Sequence, residues 1–370
     1  MINSRKKGFT LVELVIVIAV VAILAAVLIP TFSSLVKKAN MSADQQAAKQ
    51  MNTALAMYEA ENGKAEYLDQ VKQALDAQGI NAYDPTIATP VSKGYVFAWN
   101  PEDGKIYIVE STNLPQGYKL LTNNELKADS NVVASLEAGG TVTLLEDITL
   151  SENIDLTKDL VIIGEDPENP VKITASSSEV SRLFNIVKSN VKLTLENVDI
   201  SLTNSNLNNG NKRIISTTGG ITQPALTGIV INVINSKLYT DNGYGINLTA
   251  GVKGAELNIK DTTINAFQPI VLWSKDSVIN VEKSTIELNY DGDTLQSGGI
   301  MLQHNEPAEP GAKAEGNIVT VKDCTITSNE YQCAIYIRDI NINKNNTISV
   351  TNTTYNGSSF DSNNSNHLHQ

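Results

Sequence analysis

The chain has 370 residues, 41% of them hydrophobic and 18% charged, and carries a formal charge of −12. That length allows two folded units, each with a core of its own, and the apolar content excludes an acidic disordered chain. The acidic balance argues against nucleic acid as a partner, because phosphate recognition needs clustered Lys and Arg, and of the arginines only Arg182, Arg213 and Arg338 lie beyond residue 8.

Residues 2–8 form a short basic leader containing Arg5, Lys6 and Lys7. Next comes an apolar stretch from Phe9 to Ile29, broken only by Thr10 and Glu13. As a helix it would be about 31 Å long, the hydrocarbon thickness of a bilayer. The leader charges predict that the leader stays cytoplasmic and everything after residue 30 is exported. Glu13 does not suit a plain anchor. An unpaired carboxylate there costs roughly 2.5–3.5 kcal/mol on insertion scales, and nothing nearby in the sequence can pair with it. A cation from a neighbouring subunit, or a newly exposed N-terminus, would satisfy it. A removable signal peptide would have a shorter apolar core and a small-residue cleavage site, and Leu14 to Ile29 has no such ending.

The run Lys6-Lys7-Gly8-Phe9-Thr10-Leu11-Val12-Glu13-Leu14 resembles the processing motif of type IV prepilins and pseudopilins. The resemblance implies cleavage between Gly8 and Phe9 by a prepilin peptidase, then N-methylation of Phe9. It makes Glu13 the carboxylate that neutralises the Phe9 amine of an adjacent subunit, and it places a helix-kinking proline at Pro30. The implied partners are other pilin subunits, the peptidase and the inner or cytoplasmic membrane. The implied location is a single-pass membrane precursor, then an extracellular surface filament. The likeness is close over the helix, weak over the next sixty residues and absent beyond.

After Pro30 the period of a helix continues through Phe32, Leu35, Val36, Ala39, Ala43, Ala47, Met51, Leu55 and Tyr58, with Asn62-Gly63 as the stop. One helix over 9–62 would be about 80 Å long. Residues 65–79 read as a second amphipathic helix. Tyr95–Trp99 and Ile106–Val109 flank Asn100-Pro101-Glu102-Asp103-Gly104, a hairpin. Thr122 to Glu137 reads as a short helix suited to capping the end of a solenoid.

Downstream, Asn, Thr, Ser and Ile dominate and an eight-residue template recurs: apolar, any, apolar, any, Asn/Asp, any, any, apolar. It fits Leu193–Ile200, Ile231–Leu238, Leu257–Ile264, Ile279–Ile286, Val319–Ile326 and Ile348–Tyr355. Its fifth column holds Asn197, Asn235, Asp261, Lys283, Asp323 and Asn352, a tight corner in which only Lys283 departs from the pattern. A third strand precedes most copies, at Leu183–Ile186, Gly245–Leu248, Ile270–Trp273, Gly299–Leu302 and Ala334–Ile337. Val142–Leu144, Ile148–Leu150 and Val161–Ile163 would supply the first turns.

The expected fold class is therefore α+β and pilin-like at the N-terminus, with a long helix, then an all-β right-handed parallel β-helix, or solenoid. The expected boundaries are leader 1–8, transmembrane and assembly helix 9–62, small head 63–121, cap helix 122–140, β-helix 141–357 and a disordered polar tail 358–370. A β-sandwich would not explain a corner residue recurring in register.

No constellation specifies an enzyme. Asp291-Gly292-Asp293 is the one compact acidic pair, and it reads as a solvated turn. Arg338 and Asp339 are adjacent and so point to opposite faces, while His304 lies in a long loop and His367 and His369 in the tail. No metal or cofactor site is expected. Cys324 sits in a column of small residues (Val198, Ser236, Thr262, Ser284, Thr353) and Cys333 begins the next coil's strand. They are either packed residues or a possible disulfide. Tyr239, Tyr244, Trp273, Tyr290 and Tyr331 are scattered. The reading is a structural subunit, minor or tip, of a type IV pilus-like filament, displaying the solenoid to bind a surface glycan or protein ligand. A pseudopilin of a secretion machine and a tethered polysaccharide lyase or hydrolase are the alternatives.

Overall fold

The computed structural model describes residues 11–82, 87–126, 132–175, 180–203, 212–220, 224–290, 297–361 and 368–369. The chain forms two units, one ending at Leu121 and one starting at Thr122, with Tyr67–Gln70 counted in the second.

The first unit is led by α1 (Leu11–Asn62), which runs through position 30 without a break. Its stop matches the sequence signal: Gly63 has φ +86° and donates its N–H to the Glu59 carbonyl at 3.0 Å. The stripe that α1 buries is Asp44, Ala48, Met51, Ala54 and Leu55, in steps that keep one helix face. The sequence stripe reached further back, but Phe32, Leu35, Val36 and Ala43 are exposed. The hairpin pairs Tyr95–Asn100 with Lys105–Glu110 in antiparallel register from Tyr95↔Glu110 to Asn100↔Lys105. Lys119–Leu120 adds a third strand beside Ala98 and Trp99. Two side chains of α1 fasten this head. Asn52 donates to the Ile106 carbonyl at 2.8 Å and accepts the Ile106 N–H at 2.7 Å. The Asp44 carboxylate accepts the N–H groups of Val91 and Ser92 at 2.8 and 2.9 Å. α2 (Leu68–Asp76) is shorter than the helix read over 65–79.

The second unit does not open with one helix over 122–137. Asn123–Leu126 is a strand, and only α3 (Val132–Ala138) is helical. Asn123 and its neighbours pair in parallel with Gly140–Leu144, and a ladder of backbone bonds outweighs a weak local helix preference. Beyond that point the chain visits three sheets in rotation. The first has nine strands, from Asn123–Leu126 to Thr347–Thr351; the second has nine, from Ile148–Leu150 to Ser358–Phe360; the third has eight, from Ile154–Leu156 to Leu368–His369. Their pairings are parallel except for the closing hairpin of Thr353–Tyr355 with Ser358–Phe360. Equivalent template residues meet across coils: Leu193, Ile231, Leu257, Ile279, Val319 and Ile348 form one unbroken register. Their alternate side chains fill a single apolar core, so no coil could bury its inner face alone.

All six residues of the corner column adopt the left-handed conformation, with φ between 45° and 55°, Lys283 included at 48°. A second such column is not evident in the sequence. Asn190, Gly228, Gly254, Asp276, Gly316 and Asn345 all have positive φ, each two residues before a strand of the first sheet. At Gly228 the need for glycine is also steric, since a Cβ there would stand 2.3 Å from Asn190 Oδ1. The strand Arg213–Thr217 is likewise absent from the sequence pattern. It places Thr217 opposite Ile186, where the pattern wants an apolar residue. The tail is not wholly without structure: Ser358–Phe360 closes a hairpin with Phe360 buried, and Leu368–His369 pairs with Ile335–Tyr336.

Candidate functional site

Arg5, Lys6, Lys7, Gly8 and Phe9 lie outside the described residues, as do the side chains of Glu13 and Pro30, whose backbone is helical. The geometry of the N-terminal segment therefore begins at Leu11. From Leu11 to Val36 the large apolar side chains of α1 that are described are all exposed, Leu11 at 78% and Phe32 at 65%. Among the described residues no helix is long and apolar enough to cross a membrane. Covering a side chain of this kind is worth about 1.5–3 kcal/mol, and a cluster of exposed ones marks a surface built to be covered.

In the second unit Cys324 and Cys333 are both buried, and the structure has no disulfide between them. Cys324 belongs to a ladder just after the corner column. The hydroxyls of Ser236, Thr262, Ser284 and Thr353 each donate to the carbonyl two residues back, at 2.7 to 3.0 Å, and the Cys324 thiol does the same to Lys322 at 3.1 Å. Each also serves the coil before it: Thr262 N–H donates to Ser284 Oγ at 3.2 Å and Cys324 N–H to Thr353 Oγ1 at 3.3 Å. Burial pushes the Cys324 thiol up from its ordinary value, so it stays protonated. Cys333 instead points its sulfur at the carbonyls of Ile335 and Ser297.

Arg338 donates to the His304 carbonyl at 3.1 Å, while Asp339 accepts the Asn341 N–H at 2.8 Å in a turn. His304 is buried with Nδ1 unpartnered. Asp291, Asp293 and His367 lie outside the described residues, as does the side chain of His369. Among the described residues no three His, Cys, Asp or Glu side chains gather to hold a metal.

The first sheet presents a ribbon of amides. Asn280 donates to Asn258 at 2.9 Å, Asn258 to Asn232 at 3.0 Å and Asn232 to Thr194 at 3.1 Å. Asn258, Asn280 and Thr320, with Lys260, Glu282 and Lys322, line a depression of about 360 Å³. It holds hydrogen-bonding groups and charges of both signs. Of the tyrosines, Tyr290 packs edge-on against Phe267 at 4.8 Å, while Tyr239 and Tyr331 are exposed.

Comparison with known proteins bears on the N-terminus alone. Residues 3–29 match the model of the prokaryotic N-terminal methylation motif. The type IV major pilin protein PilE1 of Neisseria gonorrhoeae is 42% identical over 62 residues, 17% of this chain and 38% of that protein. The type IV major fimbrial protein FimA of Dichelobacter nodosus is 42% identical over 53 residues, 14% of this chain and 34% of that one. The fimbrial protein EcpC of Eikenella corrodens is 38% identical over 63 residues, 17% of this chain and 41% of its own length. The chain thus spans 34–41% of the length of these relatives. No solved structure matches it. By its N-terminal segment the chain carries the prokaryotic N-terminal methylation motif and is similar to type IV pilins and fimbrial proteins over that stretch.

Proposed function

We propose that the chain is a structural subunit, of minor or tip type, in a type IV pilus-like surface filament. In this reading the precursor is a single-pass membrane protein, cleaved between Gly8 and Phe9 and methylated on Phe9. Glu13 then neutralises the new amine of a neighbouring subunit as α1 is drawn from the membrane into the filament. The observation that carries the reading is the set of exposed apolar side chains described on α1 between Leu11 and Val36, a stretch that overlaps the methylation motif. Such a surface is stable in water only when lipid or other helices cover it. The second unit we read as a right-handed parallel β-helix, the hand that strand-to-parallel-strand crossovers adopt in about 98% of cases. Its role is adhesion or ligand binding, for which the polar ribbon of the first sheet is suited.

Mass spectrometry of the mature N-terminus tests the processing step: a chain that starts at methylated Phe9 is expected, and an intact Met1 would refute it. Electron microscopy of Glu13→Ala cells tests assembly. Extended fibres should disappear while the precursor accumulates in the membrane. Normal fibres from that variant would sink the assembly role. A parent that is processed but yields no extended fibres would point to a secretion pseudopilus.

A further inference from the structure

Of the four arginines in the chain, two stand side by side. Arg182 and Arg213 are register partners on neighbouring coils of the third sheet, and the same row continues with Tyr244 and Gln268. Adjacent strands lie about 4.8 Å apart, so the two cations begin from one spot on the surface. Among the described residues neither guanidinium has a carboxylate within ion-pair distance. The ion pairs found in this unit use Lys212 with Asp241, Lys253 with Asp276, Lys313 with Glu315, and Lys322 with Glu282 and Asp323. Lys212, next to Arg213, is already held by Asp241 at 2.7 Å.

Arg213 is half-buried and its Nε has no hydrogen-bond partner. Its neighbours make matters worse for the charge: burial first, then Arg182, pull its pKa below the ordinary arginine value. The one favourable neighbour is the Tyr244 ring, whose centre lies 5.7 Å from the guanidinium carbon. Further along the row Gln268 is buried, and its Oε1 is unpartnered. Like charges directly opposite each other destabilise a sheet, and a half-buried cation without an anion is costly. Among the described residues no carboxylate meets the charge of this row.

We propose that the Arg182–Arg213–Tyr244 row binds an anionic glycan. The terminal nitrogens of the two arginines would grip a sugar carboxylate or sulfate, and the Tyr244 ring would back the face of the adjoining sugar. Guanidinium forks match planar or tetrahedral oxyanions, and an aromatic ring beside them offers the apolar surface that a sugar ring needs and a bare phosphate does not. The inference rests on the adhesive reading of the second unit and gives its ligand a charge.

The test uses the full chain in detergent on four immobilised polymers: polygalacturonate for the carboxylate, dextran sulfate for the sulfate, neutral dextran and polyglutamate. Retention on one or both anionic polysaccharides is expected, weakened by salt and absent on dextran. Arg213→Gln should lower that affinity about tenfold, the scale of one lost charge-assisted fork, and the double change with Arg182→Gln should lower it further. Arg213→Lys should fall between. Because the ligand site is costly to the free protein, Arg213→Gln should not lower the melting temperature.

Equal retention of parent and double variant would overturn the proposal, as would retention on polyglutamate alone or on no matrix. A loss of melting temperature in Arg213→Gln would assign the arginines to an internal ion pair instead, and would also overturn it. Retention on neutral dextran only would refute the anion site and leave the adhesive reading standing. An unprocessed Phe9 would refute the pilus reading and leave anion binding untouched.

Discussion

The ladder behind the corner column makes a quantitative demand at Ser284. Its hydroxyl is buried, accepts the Thr262 N–H at 3.2 Å and donates to the Glu282 carbonyl at 2.7 Å. In Ser284→Ala the Glu282 carbonyl keeps the N–H of Asp261 at 3.2 Å, so it is not orphaned. The Thr262 N–H is left with nothing. A buried donor without an acceptor costs about 1–3 kcal/mol, and a bond at the long end of the normal range points to the lower half, about 1–2 kcal/mol. Stacked coils do not unfold as one cooperative block, so a global midpoint would blur the effect. Native-state hydrogen exchange reads it locally. Protection of the Thr262 amide should fall about 5–30-fold, with amides of the first unit unchanged. Ser284→Cys should stay close to the parent, because Cys324 does this same work in the next coil. An Ala variant with undiminished protection at Thr262, or a Cys variant more damaging than Ala, would show that residue size rather than the hydrogen bond sets the ladder.

The same geometry sets three further outcomes. Gly228→Ala and Gly254→Ala both force a side chain into positive φ, at +65° and +67°, for about 1 kcal/mol each. Only the first would also meet an atom, Asn190 Oδ1, so it should lower a urea midpoint more than the second; equal losses would refute the steric part. The Cys324 thiol, held above its ordinary pKa by burial, should be alkylated far more slowly at pH 8 in the folded chain than in urea. Since the folded state favours the protonated thiol, its contribution to stability is complete below the unfolded thiol pKa and is lost as pH rises through the folded value. Fast native labelling would contradict this. Asp166 runs the other way. Hydrogen bonds from the Asn169 side chain and the Glu168 N–H lower its pKa, so its turn is supported above the ordinary carboxylate pKa and released as pH falls through the depressed one. Carboxylate titration by NMR showing an unshifted Asp166 would refute it.

Much of the architecture is legible in one dimension because it repeats. The template occurs six times over, and a residue in the left-handed conformation is restricted enough that Asn and Asp mark it even across variable loops. Lys283 shows the force of register: its own identity argues against that conformation, yet its neighbours on both sides hold it there. The second column of corners is hidden because glycine and Asn/Asp alternate in it, so no single letter recurs. The strand Arg213–Thr217 is hidden because Ser216 and Thr217 break the apolar pattern.

The sequence by itself determined the local and periodic properties: the methylation motif, the lone Glu13 within an apolar run, the length of α1 and its stop at Gly63, and the repeating template. These depend on residue type and spacing along the chain, which are fully present in one dimension. Tertiary structure alone decided where the head begins on α1, that Asn123–Leu126 is a strand, that Cys324 joins a ladder of hydroxyls, and that Arg182 and Arg213 stand together. Those two arginines are separated by 31 positions in the chain and joined by one step of parallel register. Loop length sets the first distance and strand pairing sets the second, and only the folded chain contains the latter.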